Sequence, residues 1–214
     1  MYRQLLFELI TKRKNIFLPT HGTIMATVGT QYFDSDKINL EPGEVFVDVG
    51  MYDGGTSQYV MDNCDYKKII GFEASEIMAR NCRDKFKNND NVYVNQYAAW
   101  SKNEKLTFKF ALGGSRISDD GSETVIGEKI DTVIGCEQNI SFVKMDIEGA
   151  ELEALIGAKD IIKKFKPKMA ISIYHKPEDI ITLPSIIMEY CDDYRFMLRH
   201  YSSTLSETVL YAFH

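Results

Sequence analysis

The sequence predicts an α/β protein with a doubly wound, mostly parallel sheet and an antiparallel strand at the end of the chain. Three observations carry that prediction. Short apolar runs of strand type alternate with helical patterns from residue 44 to about 190, which is the signature of βαβ units. A glycine-rich turn, Gly50-Met-Tyr-Asp-Gly-Gly55, follows the first strongly apolar run, as a buried strand turning sharply into a helix requires. Three successive strand ends carry acids, Asp48, Glu73 and Asp146, and in a parallel sheet those ends line one rim.

In chain order, residues 1–18 have Leu5, Leu6, Leu9 and Ile10 on one helical face, and Pro19 and Gly22 end that segment. Residues 20–40 are weakly patterned and are expected to form a lid or a packed lead-in. The chain therefore divides into 1–40, an N-terminal helix with this lid segment, and 41–214, the globular unit. Residues 44–49 form the first strand and 56–63 a helix; 68–73 form a second strand. Ser75 is the expected N-cap of a helix over 76–87. Strands at 92–96 and 105–111 follow, the latter alternating and half exposed, then a loop over 113–121. Residues 140–146 form a strand and 149–164 one helix, with lysines at its end and Pro167 beyond. A strand at 169–174, a helix at 177–190 and strands at 194–200 and 208–213 complete the pattern.

Composition narrows the function. The 214 residues suffice for one sizeable α/β unit. With 25 basic against 31 acidic residues and a net charge of −6, nucleic acid is not an expected partner. Cys64, Cys82, Cys136 and Cys191 have no Cys-x-x-Cys spacing, so they read as reduced thiols of a cytoplasmic protein. The apolar stretch Leu5–Ile10 is short and interrupted by Glu8, so neither a signal peptide nor a membrane span is expected. A homo-oligomer is left open.

The site chemistry follows from the rim acids. Asp48 stands inside an apolar strand, where a carboxylate is costly without partners. Glu73 lies where an acid beyond a glycine loop grips a ribose diol. The loop lacks the Gly-x-Gly-x-x-Gly and Gly-Lys-Ser/Thr signatures of pyrophosphate binders. Three carboxylates around one pocket favour a ligand with positive charge and hydroxyls but no pyrophosphate, and S-adenosylmethionine has that chemistry. Asp146, Glu148 and Glu151 are also of the type that holds a hard divalent cation, although a site without metal is the preferred reading. Acids in a first helical turn also stabilise the helix through its dipole alone, which is the reading for Glu153.

At these residues the chain resembles the FkbM-type S-adenosylmethionine-dependent methyltransferases. The resemblance rests on Val45-Phe-Val-Asp-Val-Gly-Met-Tyr-Asp-Gly-Gly-Thr56, Gly71-Phe-Glu-Ala-Ser75 and, above all, Phe142-Val-Lys-Met-Asp-Ile-Glu-Gly-Ala-Glu-Leu-Glu153. It continues through Ser172-Ile-Tyr-His-Lys-Pro-Glu-Asp179, Leu198-Arg-His-Tyr201 and Glu207-Thr-Val-Leu-Tyr211, spanning roughly residues 30–213. It implies a seven-stranded, Rossmann-like class I methyltransferase fold and methylation of a hydroxyl on a sugar, glycan precursor or secondary metabolite. It also implies that Asp48, Gly50 and Gly54 hold the methionine end, Glu73 the ribose, and the segment around Ala98 the adenine, with Asp146 near the sulfonium. Met51 and Gly55 depart from the usual loop, where a small and a polar residue are commoner.

An alcohol must lose its proton during transfer, so a base within hydrogen-bond reach is expected. Of the four histidines, His175 follows a strand whose end shares the rim with Asp146 and is the first candidate; His200 is the second. Tyr32, Arg116, Glu148 and Arg199 are the candidate contacts to a small-molecule or carbohydrate acceptor. Two alternatives stand beside this reading: a non-catalytic cofactor-binding module of a biosynthetic complex, and a nicotinamide-dependent oxidoreductase, which the missing glycine signature disfavours.

Overall fold

The computed structural model describes residues 31–33, 38–109, 115–202 and 206–214. The helix expected at 1–18, His21, and most of the lid segment lie outside the described residues. The first strand, β1 (Val45–Val49), is buried along its whole length. It has a parallel neighbour on each side, which is why its sequence is a continuous apolar run rather than an alternating one. Those neighbours are β2 (Lys68–Phe72) and β8 (Phe142–Met145). Beyond β2 lies β3 (Val92–Asn95), and beyond β8 lies β9 (Lys168–Ser172), both parallel. The sheet closes with β11 (Thr208–Phe213), antiparallel to β9, and β10 (Arg195–His200) paired against it. The seven-stranded order is β10-β11-β9-β8-β1-β2-β3, so the expected parallel sheet with an antiparallel terminal strand is present.

Helices cover both faces. After β1 comes α1 (Gly55–Asn63), and after β2 comes α2 (Glu76–Phe86), whose N-cap Ser75 accepts from the Met78 amide as expected. On the other face lie α3 (Ile130–Ile134), α4 (Glu151–Gly157), α5 (Lys159–Phe165) and α6 (Asp179–Tyr190). Val45, Val47 and Val49 point into the core beneath these four helices, while Phe46 points into the opposite core with Ile69, Phe142 and Tyr211. Asp48 shares the Phe46 face because side chains alternate along a strand. No helix among the described residues is long and apolar enough to cross a membrane.

Two features depart from expectation. The single helix expected over 149–164 is broken at Ala158 into α4 and α5. At the break, a Cβ on Gly157 would lie 2.0 Å from the Trp100 carbonyl oxygen, so the helix and that strand-end backbone meet there. The strand expected at 105–111 is present as β5 (Glu104–Lys109), but it belongs to a second sheet, ordered β4 (Ala98–Ala99), β7 (Glu123–Glu128), β5 and β6 (Arg116–Ile117), to which the segment expected as a loop, 113–121, contributes β6. Its strands are short and largely exposed, so their apolar pattern is faint.

Candidate active site

The chain order reverses at β1, with β2 on one side and β8 on the other, and the crevice beyond such a reversal is where α/β sheets bind ligands. The turn leaving β1 shapes it. Gly50 has φ +84°, and a Cβ there would lie 2.1 Å from the Asp146 carbonyl oxygen. Only glycine lets the ends of β1 and β8 approach so closely. The Gly50 and Met51 amides donate to the Phe72 carbonyl at 2.9 and 3.1 Å, stitching the loop to β2. Met51 is buried in the notch that Gly71 leaves open, since a Cβ at 71 would lie 1.8 Å from its sulfur. That packing accounts for a large residue at 51. Gly54, with φ +73°, is the N-cap of α1 beneath the loop, and the Gly55 amide donates to Asp53 Oδ1 at 2.8 Å.

A cavity of about 380 Å³ opens between this loop, the ends of β2 and β8, and the second sheet. Glu73 stands on its wall. Its Oε2 accepts from the Tyr52 amide and its Oε1 from the Ser75 amide, each at 2.8 Å. Burial raises the Glu73 pKa above the usual carboxylate range, against the lowering effect of those two donors. Met78, Tyr97, Ala98 and Phe108 give the same end of the cavity an apolar slot.

Beneath the loop lies a buried ion pair. Asp48 is fully buried; its Oδ2 accepts from Ser57 Oγ at 2.7 Å, and its Oδ1 is 3.1 Å from Lys144 Nζ. Strand register sets this pair, because Asp48 of β1 stands opposite Lys144 of β8. Lys144 Nζ also donates to the Gly50 carbonyl at 2.7 Å and lies 5.5 Å from the Tyr32 ring centroid. The ammonium thus pins the turn from below and reaches the cavity wall.

The other end of the cavity is built around Asp146, which follows β8. Tyr32 donates to Asp146 Oδ2 at 2.9 Å and Tyr174 to Oδ1 at 3.4 Å. Burial first, and then the negative charge of Asp146, push both phenols well above their ordinary pKa, so both remain donors. Behind Asp146 sits His175, its side chain 7% exposed, with Nε2 3.5 Å from Asp146 Oδ1 and 3.5 Å from Glu148 Oε2. Its Nδ1 is 2.8 Å from Glu151 Oε1. Burial alone lowers the His175 pKa, but Glu151, Asp146 and Glu148 together outweigh it and leave it raised. Glu148 adopts φ +55°, a left-handed conformation uncommon for a side chain of its kind. That turn carries its carboxylate to the cavity, where Arg116 from β6 provides a facing positive charge. Glu207 lines the same side and is joined to Gln31 by a short hydrogen bond.

The sequence from residue 48 to 202 matches the model of the methyltransferase FkbM domain. This chain belongs to the FkbM methyltransferase family. No curated protein matches it. Among solved structures, a methyltransferase FkbM from Methylobacillus flagellatus superposes with a TM-score of 0.73 at 25% identity, covering 89% of this chain and 48% of that one. The chain therefore spans about half the length of that relative. Fibrillarin from Aeropyrum pernix, solved with S-adenosyl-L-methionine, superposes with a TM-score of 0.54 at 11% identity, covering 80% of this chain and 67% of that one; at this identity the likeness is one of fold.

The chamber of this FkbM domain fits S-adenosylmethionine. Its volume lies in the range of small-molecule sites. Each Glu73 oxygen accepts one backbone amide and keeps lone pairs for the hydroxyls of a ribose. The apolar slot beside Ala98 suits a purine, and the negative charge of Asp146 suits a sulfonium. Of the residues singled out in the sequence, Tyr32, Gly50, Glu73, Ala98, Arg116, Asp146 and Glu148 line the chamber. Asp48 and Gly54 lie beneath it and shape it through Lys144 and α1. His175 stands behind Asp146 and does not line it. Arg199 and His200 do not reach it either; they belong to β10, the outermost strand, where His200 Nδ1 is 2.8 Å from Thr208 Oγ1. Sequence reasoning passed over Lys144, Tyr174 and Glu207. A lysine within Phe-Val-Lys-Met is as anomalous in an apolar strand as Asp48 is in Val-Phe-Val-Asp-Val, and the two anomalies considered together signal a pair.

Proposed function

We propose that this FkbM domain transfers a methyl group from S-adenosylmethionine to a hydroxyl of a polyhydroxylated small molecule, a sugar or glycan precursor, or a secondary metabolite. The observation that carries this reading is the hydroxyl-accepting role of Asp146, which takes hydrogen bonds from two phenols at the open end of the chamber. A carboxylate held in that way accepts equally well from an acceptor alcohol. Arg116, Glu148 and Glu207 on the surrounding wall supply the mixed donors and acceptors that a polyol requires.

The donor supplies a methyl on a sulfonium and departs as a neutral thioether. The chain's own residues hold the hydroxyl in line with that methyl, and such positioning provides much of the acceleration. Asp146 orients the hydroxyl, and its proton passes to the Asp146–His175 pair, with Glu151 fixing the imidazole from behind. The segment 1–40 contributes Tyr32 to the chamber, which supports its reading as a lid. A cytoplasmic location belongs to the same reading and is supported by four unpaired cysteines.

In a tritiated methyl-transfer assay against a panel of sugars and polyols, His175→Ala is expected to bind S-adenosylhomocysteine as the wild type does. Its turnover is expected to fall by about 10²–10⁴. Unchanged turnover would remove His175 from the mechanism. A wild type that binds the cofactor product but methylates no acceptor would favour the non-catalytic module.

A further inference from the structure

The cluster behind the chamber floor holds more negative charge than its single imidazole can balance. Asp146, Glu148 and Glu151 all face His175. Glu151 is fully buried: its Oε1 accepts the Ile147 amide at 3.0 Å, while its Oε2 is buried with no hydrogen-bond partner among the described residues. His175 Nε2 is likewise buried without a hydrogen-bond partner among the described residues. Its nearest oxygens, at 3.5 Å, are too distant for a good hydrogen bond. That separation suits two ligands of one ion with bonds of about 2.1 Å. Asp146, Glu151 and His175 each bring one ligand atom within 4.8 Å of the others.

We infer that Asp146, Glu151 and His175 bind a divalent first-row cation, with Glu148 at the open side. The donor set favours an ion that accepts both carboxylate oxygen and imidazole nitrogen, and Mn²⁺ meets both requirements. Leaving orphaned buried atoms unpaired is costly, and a cation held by these three residues gives the cluster a partner of opposite charge. Its location beside Asp146 exposes one face to the chamber, where an acceptor hydroxyl can coordinate. The hydroxyl passes its proton to the Glu148 carboxylate while its oxygen takes the methyl from the sulfonium, which leaves as a neutral thioether. In that state His175 serves as a ligand, and the cation rather than the imidazole acidifies the alcohol. This catalytic use rests on the hydroxyl-methylation reading; the binding does not.

The test is a Mn²⁺ titration of EDTA-stripped protein, following the free aquo-ion signal by electron paramagnetic resonance, with S-adenosylhomocysteine binding measured in parallel. One Mn²⁺ per chain is expected, with affinity reduced at least tenfold in His175→Ala and in the near-isosteric Glu151→Gln. Electron spin-echo spectra of the wild type are expected to carry nitrogen modulation from the imidazole, a signature that needs no variant to fold. A wild type that binds S-adenosylhomocysteine but not Mn²⁺, bound Mn²⁺ without nitrogen modulation, or Mn²⁺ affinity unchanged in both variants would overturn the inference. Methyl transfer that proceeds fully in EDTA would overturn the catalytic use while leaving the methyltransferase reading intact. Mn²⁺ binding without transfer to any acceptor would do the reverse.

Discussion

Replacing Lys144 with methionine isolates the buried pair under the glycine turn. The two side chains are 5% and 0% exposed and 3.1 Å apart. Without the ammonium, Asp48 keeps, among the described residues, only the Ser57 hydroxyl, and the Gly50 carbonyl loses its 2.7 Å donor. Removing one member of a buried pair typically costs about 3–5 kcal/mol, because the remaining charge is stranded. For a chain of this length, that corresponds to a fall in melting temperature of roughly 6–20 °C. Urea denaturation followed by far-UV circular dichroism measures the loss as a shifted midpoint at unchanged slope. Adding Asp48→Asn removes the stranded charge, so the double variant is expected to recover about 1–3 kcal/mol relative to the sum of the single changes. A Lys144→Met protein within about 1 kcal/mol of wild type, or a double variant no better than that sum, would refute the account of the pair.

Two further outcomes follow from Glu73 and Cys82. Glu73→Gln is expected to weaken S-adenosylhomocysteine binding by about 1.5–3 kcal/mol, the worth of hydrogen bonds to a charged acceptor. Because burial holds Glu73 above the ordinary carboxylate range, lowering the pH through its pKa protonates the acceptor, and wild-type affinity is expected to fall. Calorimetry across that range should find the slope diminished in the glutamine variant, and equal slopes would exclude the ribose role. Cys82 is fully buried, its thiol donates to the Tyr52 carbonyl at 3.2 Å, and burial, followed by the nearby acids, pushes its pKa up to about 12. Peptide mapping after iodoacetamide treatment at pH 8 should find Cys136 and Cys191 modified and Cys82 protected; labelling of all three at one rate would contradict the packing beneath the loop.

What the sequence reveals and what it hides divide along physical lines. The parallel core was legible because β1, β2, β8 and β9 are mostly apolar runs without alternation, a pattern that strands covered on both sides sustain. Glu73 and Asp146 were legible because a strand's end fixes which rim its acid occupies. Lys144 was not, because its partner is set by the register between strands almost a hundred residues apart, which periodicity does not encode. His200 and Arg199 stand at the end of a strand, yet four strand spacings, roughly 19 Å, separate β10 from β1. Strand order, which a single sequence leaves undetermined, decides that distance. Of the second sheet only β5 was legible, through the alternation of Leu106 and Phe108 with polar residues; β4 and β6 are two residues each, too short for any periodicity.

Tyr32 reaches the chamber from ahead of the first strand, roofing the Lys144 ammonium while donating to Asp146. A minimal domain begun at residue 41 would keep every strand of the sheet but lose one wall of its own reaction vessel. Water would then solvate both the buried cation and the carboxylate. Anyone trimming this protein for crystallisation or engineering should cut upstream of Gln31, because the boundary of the working unit lies earlier than the boundary of the sheet.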